Sequence, residues 1–208
     1  MGRDTQTKCK KCRRERTKLF LKGEKCYSDK CPMESRPYPP GESGGGRSRY
    51  SQYRTRLREK QKARHIYGLR EEKFSQYIKE AKEGKEVTGD YLVQTLESRL
   101  DNVLYRGGLA SSRDQARQMI NHGHLKVNGR PLDNPSYLVK VDDEIEFRDN
   151  SRSKQGIKNI LTENEGRDLP EWLSVGTEET GIVVIGEPDP EEIKESLQVN
   201  LIVEFYSR

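Results

Sequence analysis

Cys9, Cys12, Cys26 and Cys31 are the only cysteines in the 208-residue chain, and they crowd into its first 31 positions. Cys9 and Cys12 enclose two residues; after thirteen more, Cys26 and Cys31 enclose four. Two close pairs joined by a loop suit a single tetrahedral ion, each pair supplying two thiolates. Disulfides fit poorly with the cytosolic setting argued below, and an iron–sulfur cluster is the alternative metal group. Zinc is the expected ligand, one ion per chain. Four protein ligands leave no open position for water or substrate, so the ion would be structural. Lys8, Lys10, Lys11, Arg13, Arg14 and Lys25 surround the cysteines and are expected to draw the thiol pKa values down.

Other residues that could do chemistry are sparse. His122 and His124 sit two apart, but the only other histidine is His65 and no cysteine is near in sequence. A ring that packs in the fold or stacks on a nucleobase is the better reading than a metal ligand. Gly41 to Ser48 has the outline of a phosphate-binding loop. It lacks the required lysine, and prolines stand where the preceding strand should be, so no nucleotide site is assigned. No nucleophile–base pair and no carboxylate dyad stands in a recognisable setting.

The charge distribution points to a polyanion. Charged residues make up 35% of the chain and hydrophobic ones 31%, with a net charge of +5. The first ninety residues hold 25 Lys and Arg against 13 Asp and Glu, whereas residues 161–208 hold 3 against 12. A solvated charged surface accounts for short runs but not for an imbalance spread over ninety residues. There is no apolar run near membrane-spanning length and no secretory pattern, which reads as cytosolic.

The elements that must position these cations follow from periodicity. Ser51 to Ile66 reads as a helix with a thin apolar stripe of Tyr50, Tyr53 and Leu57. That stripe is bracketed by one row of Arg54, Arg58 and Lys62 and another of Arg56, Lys60 and Arg64. Only Glu59 interrupts the run, so phosphate contact is preferred to internal pairing. Phe74, Tyr77, Ile78 and Ala81 form the core stripe of a helix over 71–83. A third helix is expected from about Asp90 through Leu104 to Gly107-Gly108. Ser112 caps the next helix, with Gln115 completing a capping box, and Gly123 stops it. Leu125 to Val127 and Asn128-Gly129 then read as a strand and a tight hairpin turn. Tyr137 to Val141 and Ile145 to Phe147 are expected as further strands. Arg113 and Arg117 flank the buried stripe of Ala116, Met119 and Ile120, and Lys126 projects from the strand. Replacing either arginine by Ala is expected to leave the fold intact. Arg99 and Arg106 either extend this patch or pair with Asp101 or another acid.

Several stretches together carry a resemblance. They are Leu96 to Arg106, Ser112-Arg113, Gln115-Ala116-Arg117, His122-Gly123-His124 and Val127-Asn128-Gly129, which resemble the S-four RNA-binding domain. The four-cysteine arm, Arg36 to Gly41, Leu57 to Lys62, Ile66-Tyr67-Gly68 and Glu204 to Arg208 extend the likeness to the S-four family of bacterial small-subunit ribosomal proteins, in its zinc-carrying form. The resemblance implies an α+β protein: a zinc-bound arm, a helical domain, and an inserted RNA-binding module of two helices on a small curled antiparallel sheet. The expected divisions are an arm and Pro/Gly linker over 1–46 and a basic helical domain over 47–97, rejoined by about 198–208. The module spans 98–160 and an acidic strand or hairpin extension 161–197. The last segment, Asn200 to Tyr206, is ambiguous between strand and helix; the resemblance favours a short helix.

By the same resemblance the chain binds 16S rRNA, nucleates assembly of the subunit body and bears on decoding accuracy. Its neighbours would be other small-subunit proteins, including S-five, and messenger RNA where it enters; neither a membrane nor a small-molecule substrate is expected. Candidate RNA contacts are Arg13, Arg14, Arg47, Arg49, Tyr50, Tyr53, Arg54, Arg56, Arg58, Lys60, Lys62, Arg64, Arg99, Arg113, Arg117, His122, His124 and Lys126. A pseudouridine synthase built on the same module would need a catalytic domain, and the residues after 160 are too few for one. A zinc-ribbon transcription factor explains the cysteines but leaves the basic helices without purpose.

Overall fold

The computed structural model describes residues 7–41, 51–152, 154–163, 168–176, 181–194 and 196–207. In chain order the helices are α1 (Lys8–Glu15), α2 (Pro32–Ser35), α3 (Gln52–Ile66), α4 (Glu71–Glu83), α5 (Thr88–Glu97), α6 (Leu100–Arg106), α7 (Arg113–Asn121), α8 (Asp149–Arg152), α9 (Gln155–Glu163), α10 (Pro190–Lys194) and α11 (Val199–Tyr206), with a 3-10 turn at Gly23–Cys26. The strands are β1 (Leu125–Val127), β2 (Arg130–Pro131), β3 (Glu144–Phe147), β4 (Leu173–Val175) and β5 (Ile182–Val184). The chain divides into two compact units, Met1–Val93 with Pro190–Arg208, and Gln94–Asp189. Among the described residues no helix is long and apolar enough to cross a membrane.

The first unit is helical. Ser51 starts α3, its Oγ accepting the Arg54 N–H at 3.2 Å, which satisfies one donor of the first turn. The expected apolar stripe of α3 is not what it buries. Tyr53 is 56% exposed, while Lys60, Ala63 and His65 are buried. The aromatic end of α11 covers this region instead: α11 lies along α3, buries Val199 and Ile202, and sets Phe205 5.7 Å from the Tyr53 ring. Helix α4 buries Phe74, Tyr77, Ile78 and Ala81 as its spacing requires.

The third expected helix is two. Between α5 and α6 the backbone at Arg99 turns extended, with φ −66° and ψ 135°. The reason is a competing partner. Leu100 N–H donates to Tyr137 O and Val139 N–H to Ser98 O, both at 2.8 Å, and Arg99 forms an antiparallel bridge with Leu138. Residues 137–141 accordingly contribute that bridge and not the expected strand.

In the second unit α6 packs on α7 beside an antiparallel sheet of order β2-β1-β3-β5-β4. Ser112 Oγ accepts the Gln115 N–H at 3.3 Å; Gln115 Oε1 accepts from Ser111, one residue before the cap. Asn128 and Gly129 take positive φ of 49° and 74°, the paired left-handed conformation of a two-residue hairpin that joins β1 to β2. The acidic C-terminal stretch supplies β4 and β5, and β5 pairs with β3, so the sheet continues across it. Leu100, Ile120, Leu125, Ile145 and Phe147 are fully buried at its centre. Gly107 is needed for this packing, because a Cβ there would stand 1.9 Å from Ile182 Cδ1.

Candidate nucleic-acid interface

In the N-terminal arm, Cys9 and Cys12 lie one turn apart on α1, Cys26 ends the 3-10 turn and Cys31 caps α2. Cys12, Cys26 and Cys31 are buried, Cys9 is half-buried, and all four thiols are free. The Lys22 N–H donates to Cys26 Sγ at 3.3 Å. The expectation that neighbouring cations lower the thiol pKa values fails at Cys12. Burial pushes that thiol up, against a lowering backbone bond at Leu19, and the other three cysteines push it further up by charge. Among the described residues, however, no three His, Cys, Asp or Glu side chains stand as a formed metal-holding group. The soft, buried donor set fits zinc in chemistry.

Two of the cations beside the cysteines bond to backbone carbonyls of the chain. Arg13 Nε donates to Tyr38 O at 3.0 Å with its guanidinium 5.1 Å from the Tyr38 ring, and Arg14 reaches Pro40 O at 3.3 Å. Both thereby tie α1 to the proline-rich segment. Arg47, Arg49 and Tyr50 lie outside the described residues, as does most of the glycine-rich stretch.

Helix α3 finds acidic partners on other elements and, for Lys62, within its own sequence. Arg56 Nε lies 2.6 Å from Glu204, Arg58 3.7 Å from Glu15, and Lys62 3.3 Å from Glu59. Lys60 and Arg64 share Glu71, at 2.7 and 3.2 Å, and Tyr206 donates its hydroxyl to the same carboxylate at 2.7 Å. Burial alone would raise the Glu71 carboxyl; the bonds from Lys60 and Tyr206 hold it below its ordinary value. Lys60 is 4% exposed, 4.8 Å from the Phe205 ring centre. Arg54 lies half-buried on this helix, beside the exposed Tyr53. His65 is buried with Nδ1 3.5 Å from Glu15 Oε1.

In the second unit a buried acid organises the cations. Asp101, with a side chain 2% exposed, takes a forked pair of bonds from Arg99 at 3.0 and 2.8 Å and two more from Arg117. Arg99 is itself 1% exposed. Glu97 likewise receives Arg106 Nε at 2.9 Å and the Asn102 amide at 2.9 Å. Asn102 in turn accepts from Arg113 Nε at 2.7 Å, and the Arg113 guanidinium stacks 4.4 Å above the Tyr105 ring. Arg113 is therefore aimed from two sides and lies half-buried. Lys126 pairs with Glu146 at 2.8 Å. His122 is exposed at the end of α7; His124 Nδ1 lies 3.0 Å from Ser151 Oγ, and the two rings are 6.1 Å apart and edge-on. Burial first, then the charges of Lys154, His122 and Arg148, hold the His124 imidazole below its ordinary value.

Residues 3–97 match the family described as Ribosomal protein S4/S9 N-terminal domain, and residues 98–145 match the S4 domain. Similar proteins include small ribosomal subunit protein uS4A of Symbiobacterium thermophilum, 50% identical over all of both chains. Those named small ribosomal subunit protein uS4 from Ruminiclostridium cellulolyticum and Thermus thermophilus are 47% and 49% identical, again over the whole length of each. This chain belongs to the uS4 family. The boundary between the two matched regions falls between Glu97 and Ser98, where α5 ends.

For a member of the uS4 family, the residues that sequence reasoning missed are Glu97, Asn102, Glu71 and Glu204. Glu97, Asp101 and Asn102 set the aim of Arg99, Arg106, Arg113 and Arg117, and Glu71 gathers Lys60, Arg64 and Tyr206. Asp101 was visible as a partner for a nearby arginine. Glu71 and Glu204 gave no signal, because their partners lie far away along the chain.

Proposed function

We propose that this chain is a structural constituent of the small ribosomal subunit that binds 16S rRNA directly, helps nucleate assembly of the subunit body and contributes to translational accuracy. The observation that carries the reading is identity near one half, over the full length, to proteins named small ribosomal subunit protein uS4. Its role is structural and not enzymatic, and its place is the cytoplasmic ribosome. Cations fixed by a folded protein meet phosphates of a folded RNA at little ordering cost. Arg113 is the clearest such group, presented by Asn102 and Tyr105. The rRNA contacts we assign include Tyr53, Arg54 and Arg58 on α3, His122 at the end of α7, and Arg47, Arg49 and Tyr50. Arg99 and Arg117 act mainly by holding Asp101, and Arg56, Lys60, Lys62, Arg64 and Lys126 by bridging the protein's own acids as well as facing RNA. S-five and messenger RNA on its way into the subunit are the proposed neighbours.

Within the same reading, Cys9, Cys12, Cys26 and Cys31 hold one structural zinc ion. Its chemistry would be to fix the shape of a short basic segment, with no reacting ligand. In-cell crosslinking followed by sequencing of the bound RNA tests the function: recovery concentrated in one region of 16S rRNA is expected, and enrichment of messenger or transfer RNA without it contradicts the proposal.

A further inference from the structure

Helices α7 and α9 border a groove of about 540 Å³ in the second unit. Its floor is apolar: Met119 and Ile157 are 6% and 5% exposed, and Ile160 is half-buried against the same core. Its rim is polar. Gln118 of α7 and Asn159 of α9 line it with side-chain amides, the Asn159 Oδ1 accepting from Gln155 Nε2 at 2.8 Å, and the exposed His122 ring lines it too. His124 is fixed by Ser151, and Lys154 lies on the border close enough to shift its imidazole. A volume in the range of ligand pockets, an apolar floor and a few convergent polar groups describe a site for a small flat molecule. A phosphate alone has no use for the floor. An acidic protein side chain would use the amides and the cation but has no flat face for the floor and imidazole. An unpaired base uses all three: face on the floor and imidazole, edge on the amides, adjoining phosphate on Lys154.

We propose that this groove takes the base of an unpaired RNA nucleotide, adding base reading to a binding mode otherwise carried by phosphates; the proposal rests on the RNA-binding function above. Gly156 gives a clean test. It lines the groove, and a Cβ there meets nothing within 4 Å, so a large side chain fits the helix and fills open space. The full chain bound to 16S rRNA would be probed at nucleotide resolution with reagents that modify base edges, for the wild type, Gly156→Phe and Gln118→Ala/Asn159→Ala. One unpaired base protected by the wild type should become reactive in both variants. Affinity should fall roughly 5- to 100-fold while the rest of the footprint stays unchanged. Unchanged base reactivity in Gly156→Phe, with affinity within about twofold, would overturn the proposal. Free nucleoside monophosphates shifting the His122 and His124 imidazole resonances, with the RNA footprint indifferent to both variants, would overturn it in favour of a small-molecule site. A wild type that leaves no footprint anywhere on 16S rRNA would instead bring down the RNA-binding reading itself.

Discussion

A carboxylate as buried as Asp101 survives in the interior because Arg99 and Arg117 hold it between them. Taking one partner from such a cluster leaves an uncompensated charge, at a cost of about 3–5 kcal/mol. Replacing Asp101 by Asn should therefore lower the stability of the second unit by that amount in a denaturant titration. Arg117→Ala leaves Asp101 still held by the forked bonds from Arg99, so it should cost less than Asp101→Asn and keep the expected fold. Arg113 differs in that a neutral amide and a ring are among its partners, and it does not contact Asp101 in the way Arg99 and Arg117 do. Arg113→Lys should keep the melting temperature nearly unchanged yet weaken RNA binding by about 1–3 kcal/mol, because a point charge replaces a fork. His124 carries a second residue-scale consequence. Its imidazole is depressed in the folded chain, so the unfolded chain takes up a proton first as pH falls through the ordinary value of 6.5. The stabilisation is complete above that pH and shrinks as pH falls below it. Melting temperature should drop between about pH 7.5 and 5.5, and His124→Gln should flatten that slope.

At the scale of elements, local signals were legible where the chain bonds to itself nearby. The helix start near Ser51, the Ser112 cap, the Asn128-Gly129 turn and the core stripe of α4 were all readable, because each depends on residues within a turn or two. The break at Arg99 was not readable, since it is imposed by residues near 137 that compete for the same backbone groups. Nor were β4 and β5 recognisable as part of the module's sheet: an apolar triplet such as Ile182 to Val184 does not say which strand it will pair with. The same holds for the site. Cationic rows were plain in the sequence, whereas the acids that aim them come from positions up to 148 residues away. The cysteine arm is the element whose prediction is sharpest. Purified under metal-sparing conditions, the protein should carry one zinc per chain by elemental analysis. Cys12→Ser should lose it and expose the arm to protease while residues 94–189, with a core of their own, melt as before. Neither zinc nor iron in the wild type would remove the assignment.

For the whole molecule, the first ninety residues are strongly basic and the C-terminal stretch acidic, which confines the expected polyanion contact to part of the chain. A-form RNA hides its base edges in a deep groove, so most of the recognition must come from RNA shape and phosphate position. The most direct measurement is the equilibrium affinity for a folded 16S rRNA fragment across a series of salt concentrations. With roughly six or more phosphates neutralised, log affinity should fall linearly with log salt, losing orders of magnitude between about 50 and 200 mM. An unfolded RNA of the same composition should bind far more weakly at every point. An affinity nearly independent of salt, or equal for folded and unfolded RNA, would contradict the account.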